Sequence, residues 1–296
     1  MKKYSFFPGC SYDNTGLPIK LSIEATNPLL EIELVELADW SCCGCPGAPL
    51  SELGAMAMAT RNLALAEKTG LDLVAACSCC YRNLRNAHLE YIADSNLREK
   101  VNSVLSVAGL KYSGGTKVRG LVDVYVNDVG IDAIKAKVKN KLTGLKVACW
   151  YGCHQTRPFG PDDYEFPQWM DWIAEAVGAE PVQYPLKTQC CGGSLLVSDE
   201  PLVKKLVQKL LDNATSHGAQ AIVSTLCPLC FTNLDAFQRN FVSETGKKFN
   251  IPIIALSQLM GLAFGLSPEA LGLNKHVTPV NKVLAPYYRA KKEAKV

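Results

Sequence analysis

The sequence lacks a hydrophobic segment long enough to cross a bilayer. Its longest apolar run, residues 251–266, is interrupted by Pro252, Ser257 and Gln258, whereas a membrane-spanning helix needs about 20 consecutive apolar residues. This run instead predicts a core strand followed by a helix, or a contact between subunits. The chain also begins without an apolar export segment and a small-residue cleavage site. We therefore expect a cytoplasmic protein with no membrane span.

The sequence also lacks a marked excess of either charge. Its 296 residues include 31 Lys and Arg and 28 Asp and Glu, which gives a formal net charge of +3. Nucleic-acid binding normally leaves a concentrated basic surface as its footprint. The basic cluster of this sequence, Arg289-Ala290-Lys291-Lys292, is confined to the tail. We expect no nucleic-acid partner.

Cysteine, in contrast, is abundant, and ten of the 13 cysteines form two copies of one five-thiol pattern. Each copy has a single Cys, then an adjacent Cys–Cys pair, then a C-x-x-C. The intervening gaps are 31 and 33 residues in the first copy and 36 and 35 in the second. The copies consist of Cys10, Cys42, Cys43, Cys77 and Cys80, and of Cys153, Cys190, Cys191, Cys227 and Cys230. In a reducing cytoplasm such spacings favour metal binding over disulfides.

The two halves of the chain also match beyond the thiols. Tyr81-x-Asn83-Leu84 follows the first C-x-x-C, and Phe231-x-Asn233-Leu234 follows the second. Such self-similarity indicates duplication of one domain. We predict a first domain at residues 1–144, with a helical insertion at about 85–143, and a second domain at 145–296.

Short apolar segments precede the thiols and alternate with helical patterns. The predicted strands are residues 3–7, 32–37, 71–76, 146–150, 182–186 and 221–226. The predicted helices are residues 17–30, 53–69, 118–137, 167–177 and a segment that starts at 199. This alternation favours an α/β fold with mainly parallel sheets. The thiols then lie at the carboxyl ends of strands, where open α/β sheets usually place their sites.

Five thiols are one more than a structural zinc ion takes. Iron–sulfur clusters contain several irons, over which five thiolates can be distributed. Gly44 and Gly192-Gly193 would let the backbone approach such a cluster closely. Zinc with spare thiols remains an alternative, since a lone C-x-x-C is also common in zinc sites and thioredoxin-like motifs.

Four further residues need an interpretation. Cys45, Cys79 and Cys149 have no counterparts in the repeat, so we interpret them as small buried residues or neighbours of the ligands. Two ligand pairs are possible among Cys77, Cys79 and Cys80, and the repeat favours Cys77 with Cys80. His154 follows a proposed ligand directly and is a candidate catalytic proton donor.

The doubled thiol pattern resembles the paired cysteine-rich (CCG) signature of the heterodisulfide reductase B subunit, HdrB. The resemblance covers essentially the whole chain, including Tyr151-Gly152-Cys153-His154 and residues 259–266. It implies two duplicated Rossmann-like CCG domains, each with one noncubane 4Fe-4S cluster on its five repeated cysteines. It further implies that a disulfide or related sulfur substrate is cleaved, or formed, between the two clusters.

The resemblance implies partner proteins as well. In the family, electrons arrive from a ferredoxin-like C subunit, which a flavin-containing A subunit supplies. This sequence contains neither a ferredoxin C-x2-C-x2-C-x3-C run nor a flavin motif, which fits a catalytic subunit that needs such partners. Cys45 and Cys79 are thiols that the family pattern does not require.

The resemblance leaves the substrate open. Methanogen members reduce the heterodisulfide of coenzymes M and B, and bacterial relatives in sulfur-oxidising complexes act on a small or protein-carried sulfur species. An alternative from another class is an electron-relay CCG subunit of a flavin-dependent dehydrogenase or quinone reductase. The missing ferredoxin run excludes relays with a fused ferredoxin module, but it does not exclude a free-standing relay.

Overall fold

The computed structural model describes residues 1–45, 50–157, 162–238 and 249–289. The chain forms two compact units. The first contains residues 1–10 and 31–124, and the second contains residues 11–30 and 125–296. Residues 11–30, from the first half of the sequence, therefore belong to the second unit. The domain boundary expected at 144/145 rests on the repeat and stays a prediction.

The first unit is built on four parallel strands in the order β2–β1–β3–β4. These strands are β1 (Lys2–Phe7), β2 (Ile32–Glu36), β3 (Leu73–Ala75) and β4 (Val118–Gly120). After α1 (Leu17–Thr26), which belongs to the second unit, come the helices α2 (Glu52–Glu67), α3 (Ser78–Ala93), α4 (Ser95–Ser106) and α5 (Leu121–Asp123). A π-helical stretch, Val124–Val129, carries the chain into the second unit.

The second unit repeats this sheet, with parallel strands in the order β6–β5–β7–β8. Its strands are β5 (Lys146–Trp150), β6 (Glu180–Pro181), β7 (Ala221–Ser224) and β8 (Ile253–Ala255). Among the described residues, its remaining helices are α6 (Ile131–Ala136), α7 (Gly152–Thr156), α8 (Trp169–Ala176), α9 (Glu200–Ser216), α10 (Pro228–Ala236), α11 (Leu256–Ala263) and α12 (Asn281–Arg289). Short 3₁₀ turns are Asn27–Leu30, Gly193–Leu195 and Leu273–Lys275.

The two sheets confirm the predicted α/β fold with duplicated, mainly parallel sheets. Every residue of β3, β7 and β8 is buried, as expected for strands that are covered on both faces of a parallel sheet. Corresponding strands occupy corresponding positions, since β1 and β5 each lie between the next two strands of their sheet. The carboxyl ends of β1 and β5 therefore lie at the centre of their sheets.

Two local predictions are wrong. The strand expected at 182–186 lies earlier, at Glu180–Pro181. Beyond it, Val182 N–H donates one more hydrogen bond to β5, to the Val147 carbonyl at 2.8 Å. The helix expected at 118–137 begins with β4 instead. Arg119 can be buried within β4 because its Nε lies 2.5 Å from the Asp123 carboxylate. A strand of three residues with a buried arginine shows no alternation of apolar and polar residues from which a strand could be predicted.

The packing of α1 explains why residues 11–30 belong to the second unit. Ser22 Oγ lies 2.6 Å from Ser257 Oγ on α11, and both residues are buried. A Cβ atom added to Gly261 would lie 3.0 Å from Thr26 Cγ2, so this glycine allows the two helices to approach closely. The apolar run at 251–266 provides β8 and α11, which confirms the prediction of a core strand plus a helix.

Candidate metal centre

The first set of thiols lies at the carboxyl ends of the first unit's strands. Cys10 follows β1, and Cys42 and Cys43 lie in the loop after β2. Cys77 is the N-cap residue of α3, directly after β3, and Cys80 lies in the first turn of that helix. Parallel α/β sheets bind their ligands at this edge. The structure therefore places all five predicted residues at one edge of the first sheet.

The five thiols of this set interact with one another. The Cys80 thiol donates hydrogen bonds to Cys43 and Cys77, and the Cys42 thiol donates to Cys43. Cys10 acts electrostatically on Cys42. The bond from Cys80 lowers the pKa of Cys43, and the same bond raises the pKa of Cys80. Burial raises the pKa of Cys42.

The second set occupies the equivalent places in the second unit. Cys153 lies in α7 just after β5, and Cys190 and Cys191 end the loop that follows β6. Cys227 is the N-cap residue of α10, directly after β7, and Cys230 lies in its first turn. The duplicated sequence pattern is therefore also a duplicated spatial arrangement.

Hydrogen bonds connect the thiols of the second set in two groups. Cys153 donates to Cys190, which raises the pKa of Cys153 and lowers that of Cys190 to about 6. Cys230 donates to Cys191 and Cys227, and these bonds raise its pKa. A thiol with a lowered pKa ionises most readily, and thiolates are the form in which cysteine binds metals. This set can therefore supply thiolate ligands at close quarters.

Backbone N–H groups point at the paired thiols in both units. Gly192 N–H and Gly193 N–H each donate to the sulfur two residues earlier, Cys190 and Cys191, at 3.3 Å. In the first unit the amides two residues after Cys42 and Cys43 make the same bonds. Gly44 and Gly192 adopt φ of +84° and +74° at equivalent places in these two turns. The turn geometry thus depends on a backbone conformation that glycine adopts easily.

An asparagine holds the Cys–Cys loop in each unit. The Asn233 side-chain amide donates to the Cys191 carbonyl at 2.7 Å, and Asn83 donates to the Cys43 carbonyl. Each asparagine follows its C-x-x-C by three residues, on the helix that the motif begins. The sequence pattern of metal ligands assigned no role to these two asparagines. The Asn-Leu that follows each C-x-x-C was the signal that could have identified them. They position the paired thiols.

A buried ion pair lies behind the second set. Lys187 Nζ lies 3.0 Å from both carboxylate oxygens of Asp171, and the two side chains are 2% and 1% exposed. The Tyr151 hydroxyl donates to Asp171, and Tyr151 N–H donates to the Lys187 carbonyl at 2.8 Å. Tyr151 precedes Cys153 by two residues and Lys187 precedes Cys190 by three. This network fixes the segments that carry both cysteines.

The three unrepeated cysteines lie in different environments. Cys149 on β5 is fully buried, as predicted for a small core residue. Cys45 and Cys79 are only half-buried, and the Cys79 thiol lies 2.9 Å from the Cys45 sulfur. Among the described residues, no three His, Cys, Asp or Glu side chains are placed as a set that would hold one metal ion. The repeated thiols are instead connected by hydrogen bonds from one sulfur to the next.

His154 lies beside Cys153 on α7 and is half-buried. Its role as a proton donor stays a prediction, as do the ligand roles of the ten cysteines.

A comparison with protein families also finds one match in each repeat of the chain. The CCG cysteine-rich domain matches twice, at residues 4–85 and 147–235. The chain belongs to the CCG cysteine-rich domain family. The family that the doubled thiol pattern predicted is thereby confirmed, and each CCG match contains one complete set of five thiols.

Curated relatives match the CCG chain over nearly its full length. The 8-methylmenaquinol:fumarate reductase membrane anchor subunit of Wolinella succinogenes is 36% identical over 95% of this chain and 99% of its own. A protein of Archaeoglobus profundus, named as similar to the B subunit of heterodisulfide reductase, is 33% identical over 96% and 97%. The B subunit of a ferredoxin/F(420)H(2)-dependent CoB-CoM heterodisulfide reductase from Methanosarcina acetivorans is 31% identical over 97% and 98%.

A solved structure supports the fold of the CCG chain. The crystal structure of a hypothetical protein from Helicobacter pylori superposes with a TM-score of 0.75 at 16% sequence identity. It covers 94% of this chain, whereas this chain spans 52% of that one. Within the described part of the chain, no helix combines the length and the apolar character that crossing a bilayer requires.

Proposed function

We propose that this CCG chain is the iron–sulfur subunit of a heterodisulfide reductase-type oxidoreductase that acts on a sulfur group. Each set of five thiols holds one noncubane 4Fe-4S cluster in this proposal. The observation that carries it is the duplicated arrangement itself: in each of two units, five thiols lie at the carboxyl ends of parallel strands, and hydrogen bonds link neighbouring thiols of the set. The relatives named for the heterodisulfide reductase B subunit support the reaction class.

The residues present fit a cluster in three respects. All the repeated donors are sulfur, the ligand type of iron–sulfur clusters. Hydrogen bonds to cluster sulfurs tune the reduction potential, and the amides of Gly192 and Gly193 already donate to Cys190 and Cys191. The positive φ of Gly44 and Gly192 lets these turns fold back over the paired thiols.

The chain's own residues hold and orient the site. A bound cluster would supply electrons one at a time, and reducing a disulfide takes two. Asn83 and Asn233 fix the carbonyls of Cys43 and Cys191, so the paired thiols keep their direction. The Lys187–Asp171 pair fixes the segment before Cys190. His154, beside Cys153, is proposed to donate a proton from its imidazole to a thiolate product.

A second candidate function is electron relay without sulfur chemistry. It is favoured by the Wolinella succinogenes relative, whose name places it in a fumarate reductase. In either case the chain requires electron-transfer partners, which we propose to be a ferredoxin-like C subunit and a flavin-containing A subunit. The cytoplasmic location stays a prediction. The two candidates differ in whether a sulfur compound, either a small disulfide or a protein-carried sulfur species, reacts at the site.

The test is the response of the oxidised, iron-loaded protein to a thiol. Addition of a substrate thiol should produce a new paramagnetic signal that broadens when the thiol carries sulfur-33, because the thiol sulfur then lies next to iron. Screening thiols and persulfides in this way also ranks the substrates. If no sulfur compound alters the signal while electron transfer to partner proteins stays fast, the chain is a relay and the catalytic proposal is wrong.

A further inference from the structure

Two thiols that do not belong to either repeated set lie against each other. Cys45 Sγ and Cys79 Sγ are 2.9 Å apart, although 33 residues separate them in the sequence. Cys45 lies in the turn after the Cys42-Cys43 pair, and Cys79 lies in the first turn of α3. Both side chains are half-buried, so a reagent in solution can reach them.

The fold, and not a chance contact, brings these two positions together. Gly193 and Leu229 occupy the same places in the second repeat, two residues after Cys191 and two after Cys227. A Cβ atom added to Gly193 would lie 3.1 Å from Leu229 Cγ. The equivalent positions therefore touch in both units, and the first unit alone has a thiol at each.

The separation of the two sulfurs suits formation of a bond between them. A disulfide has an S–S length of about 2.05 Å, so the 2.9 Å separation requires only a small side-chain movement. Cys149, by contrast, is fully buried in β5.

We propose that Cys45 and Cys79 form a redox-active dithiol that reacts with a disulfide by thiol–disulfide exchange. The thiolate of one cysteine attacks a sulfur of the disulfide RSSR, which forms a mixed disulfide and releases one RS⁻. The thiolate of the second cysteine then attacks the protein sulfur of that mixed disulfide, forms the Cys45–Cys79 bond and releases the second RS⁻. The dithiol loses two electrons and two protons, and the disulfide gains the two electrons.

The role of this dithiol rests on the proposed function, since a disulfide-reducing protein meets disulfides at this edge of its sheet. The exchange chemistry itself does not depend on a bound cluster. The two proposals can therefore fail separately.

The experiment uses the iron-loaded protein and glutathione disulfide as the probe, under anaerobic conditions. After acid quenching, alkylation and digestion, mass spectrometry should find a peptide cross-linked between Cys45 and Cys79, with two glutathione thiols released per cross-link. Cys79→Ser and Cys45→Ser should form no cross-link and release at most one thiol, because the exchange cannot pass the mixed disulfide without the second cysteine. Cys149→Ala is the matched control and should cross-link like the unmodified chain.

Two results would overturn the dithiol proposal. One is full alkylation of both Cys45 and Cys79 at every ratio of glutathione disulfide to glutathione. The other is loss of iron and sulfide in a correctly folded Cys45→Ser or Cys79→Ser variant, which would make these residues cluster ligands. A chain that forms the cross-link but never binds iron would support the dithiol and overturn the iron–sulfur proposal instead.

Discussion

The two units hold the Cys–Cys loop from different directions. In the first unit, the Asn62 amide on α2 accepts a bond from Ser41 N–H at 2.9 Å and donates to the Ser41 carbonyl at 3.0 Å. The equivalent residue of α9 is Leu210, which is apolar and buried. In the second unit, Trp150 Nε1 on β5 donates instead to the Gln189 carbonyl at 3.2 Å. Besides the asparagine that both units share, one loop is thus also held from a helix and the other from a strand.

This difference shows which features of the repeat the thiols themselves require. Both units keep the five cysteines, the backbone amides that donate to the paired sulfurs, and the asparagine after the C-x-x-C. The surroundings have diverged, since the first unit has a second pair of thiols and the second has the Lys187–Asp171 ion pair. We therefore expect the shared features to matter for both sets of thiols, and the features of one unit to matter for that unit alone.

The largest effect should come from removing one ligand in either unit. Cys191→Ser should reduce bound iron by about half, and Cys43→Ser should remove the other half, because each unit holds its own set of thiolates. Metal analysis together with circular dichroism measures both losses. Cys149→Ala, outside both sets, should keep all the iron. Loss of all the iron from either ligand variant would show that the two sets assemble as one coupled site.

The buried ion pair of the second unit should contribute most to stability. Asp171→Ala leaves the Lys187 ammonium buried without its partner, which should cost about 3–5 kcal/mol of unfolding free energy. In the first unit, Asp39 pairs with Arg61 at 2.6 Å, but its side chain is 78% exposed. Asp39→Ala should cost less, about 1–2 kcal/mol, because it removes an exposed ion pair and places alanine at a left-handed backbone position with φ of +55°.

The shift in the urea unfolding midpoint measures both of these variants. The double variant Asp171→Leu, Lys187→Met is the matched control and should recover much of the lost stability, since it leaves no buried charge. Equal effects of Asp171→Ala and Asp39→Ala would contradict the account.

Removing the shared asparagines should have a smaller effect. Asn233→Ala leaves the buried Cys191 carbonyl without its donor, which should cost about 1–3 kcal/mol. Asn83→Ala should cost less, because Asn83 is half-buried and water can reach the freed carbonyl. Urea unfolding gives both costs, and the rate of iron release to a chelator reports on the loop directly. The same release rate in both variants and in the unmodified chain would show that these residues do not position the thiols.

The smallest effect should come from the matched helix caps. Ser51 Oγ accepts a bond from Gly54 N–H at 3.1 Å at the start of α2, and Asp199 Oδ1 accepts one from Leu202 N–H at 3.1 Å at the start of α9. Alanine at either position should cost about 1 kcal/mol. Asp199→Ala should cost slightly more, because the carboxylate also interacts with the helix dipole. A larger loss of unfolding free energy for Ser51→Ala than for Asp199→Ala, measured by urea unfolding, would contradict this expectation.

The sheets and the thiol sets could be predicted from the sequence because their signals are local. Strands β1, β5 and β7 each contain a short run of mostly apolar residues, and a thiol follows the end of each strand by three residues. The asparagines after each C-x-x-C repeat as clearly as the cysteines, although their role became clear only from the bonds to the Cys43 and Cys191 carbonyls.

Other features depend on residues that are far apart in the sequence. The Ser22–Ser257 contact joins residues 235 positions apart, so no local pattern could assign α1 to the second unit. In the sequence, nothing distinguishes Lys187 and Asp171 from exposed charged residues. Only the structure shows that they are buried as an ion pair. The contact between Cys45 and Cys79 likewise appears only when α3 meets the turn after Cys43.

The central claim is that the ten repeated thiols hold two iron–sulfur clusters. The most direct test is metal and acid-labile sulfide analysis of the full chain, purified without oxygen. We predict about eight irons and a comparable amount of sulfide per chain, as two four-iron clusters require. Stoichiometric zinc without sulfide would contradict it.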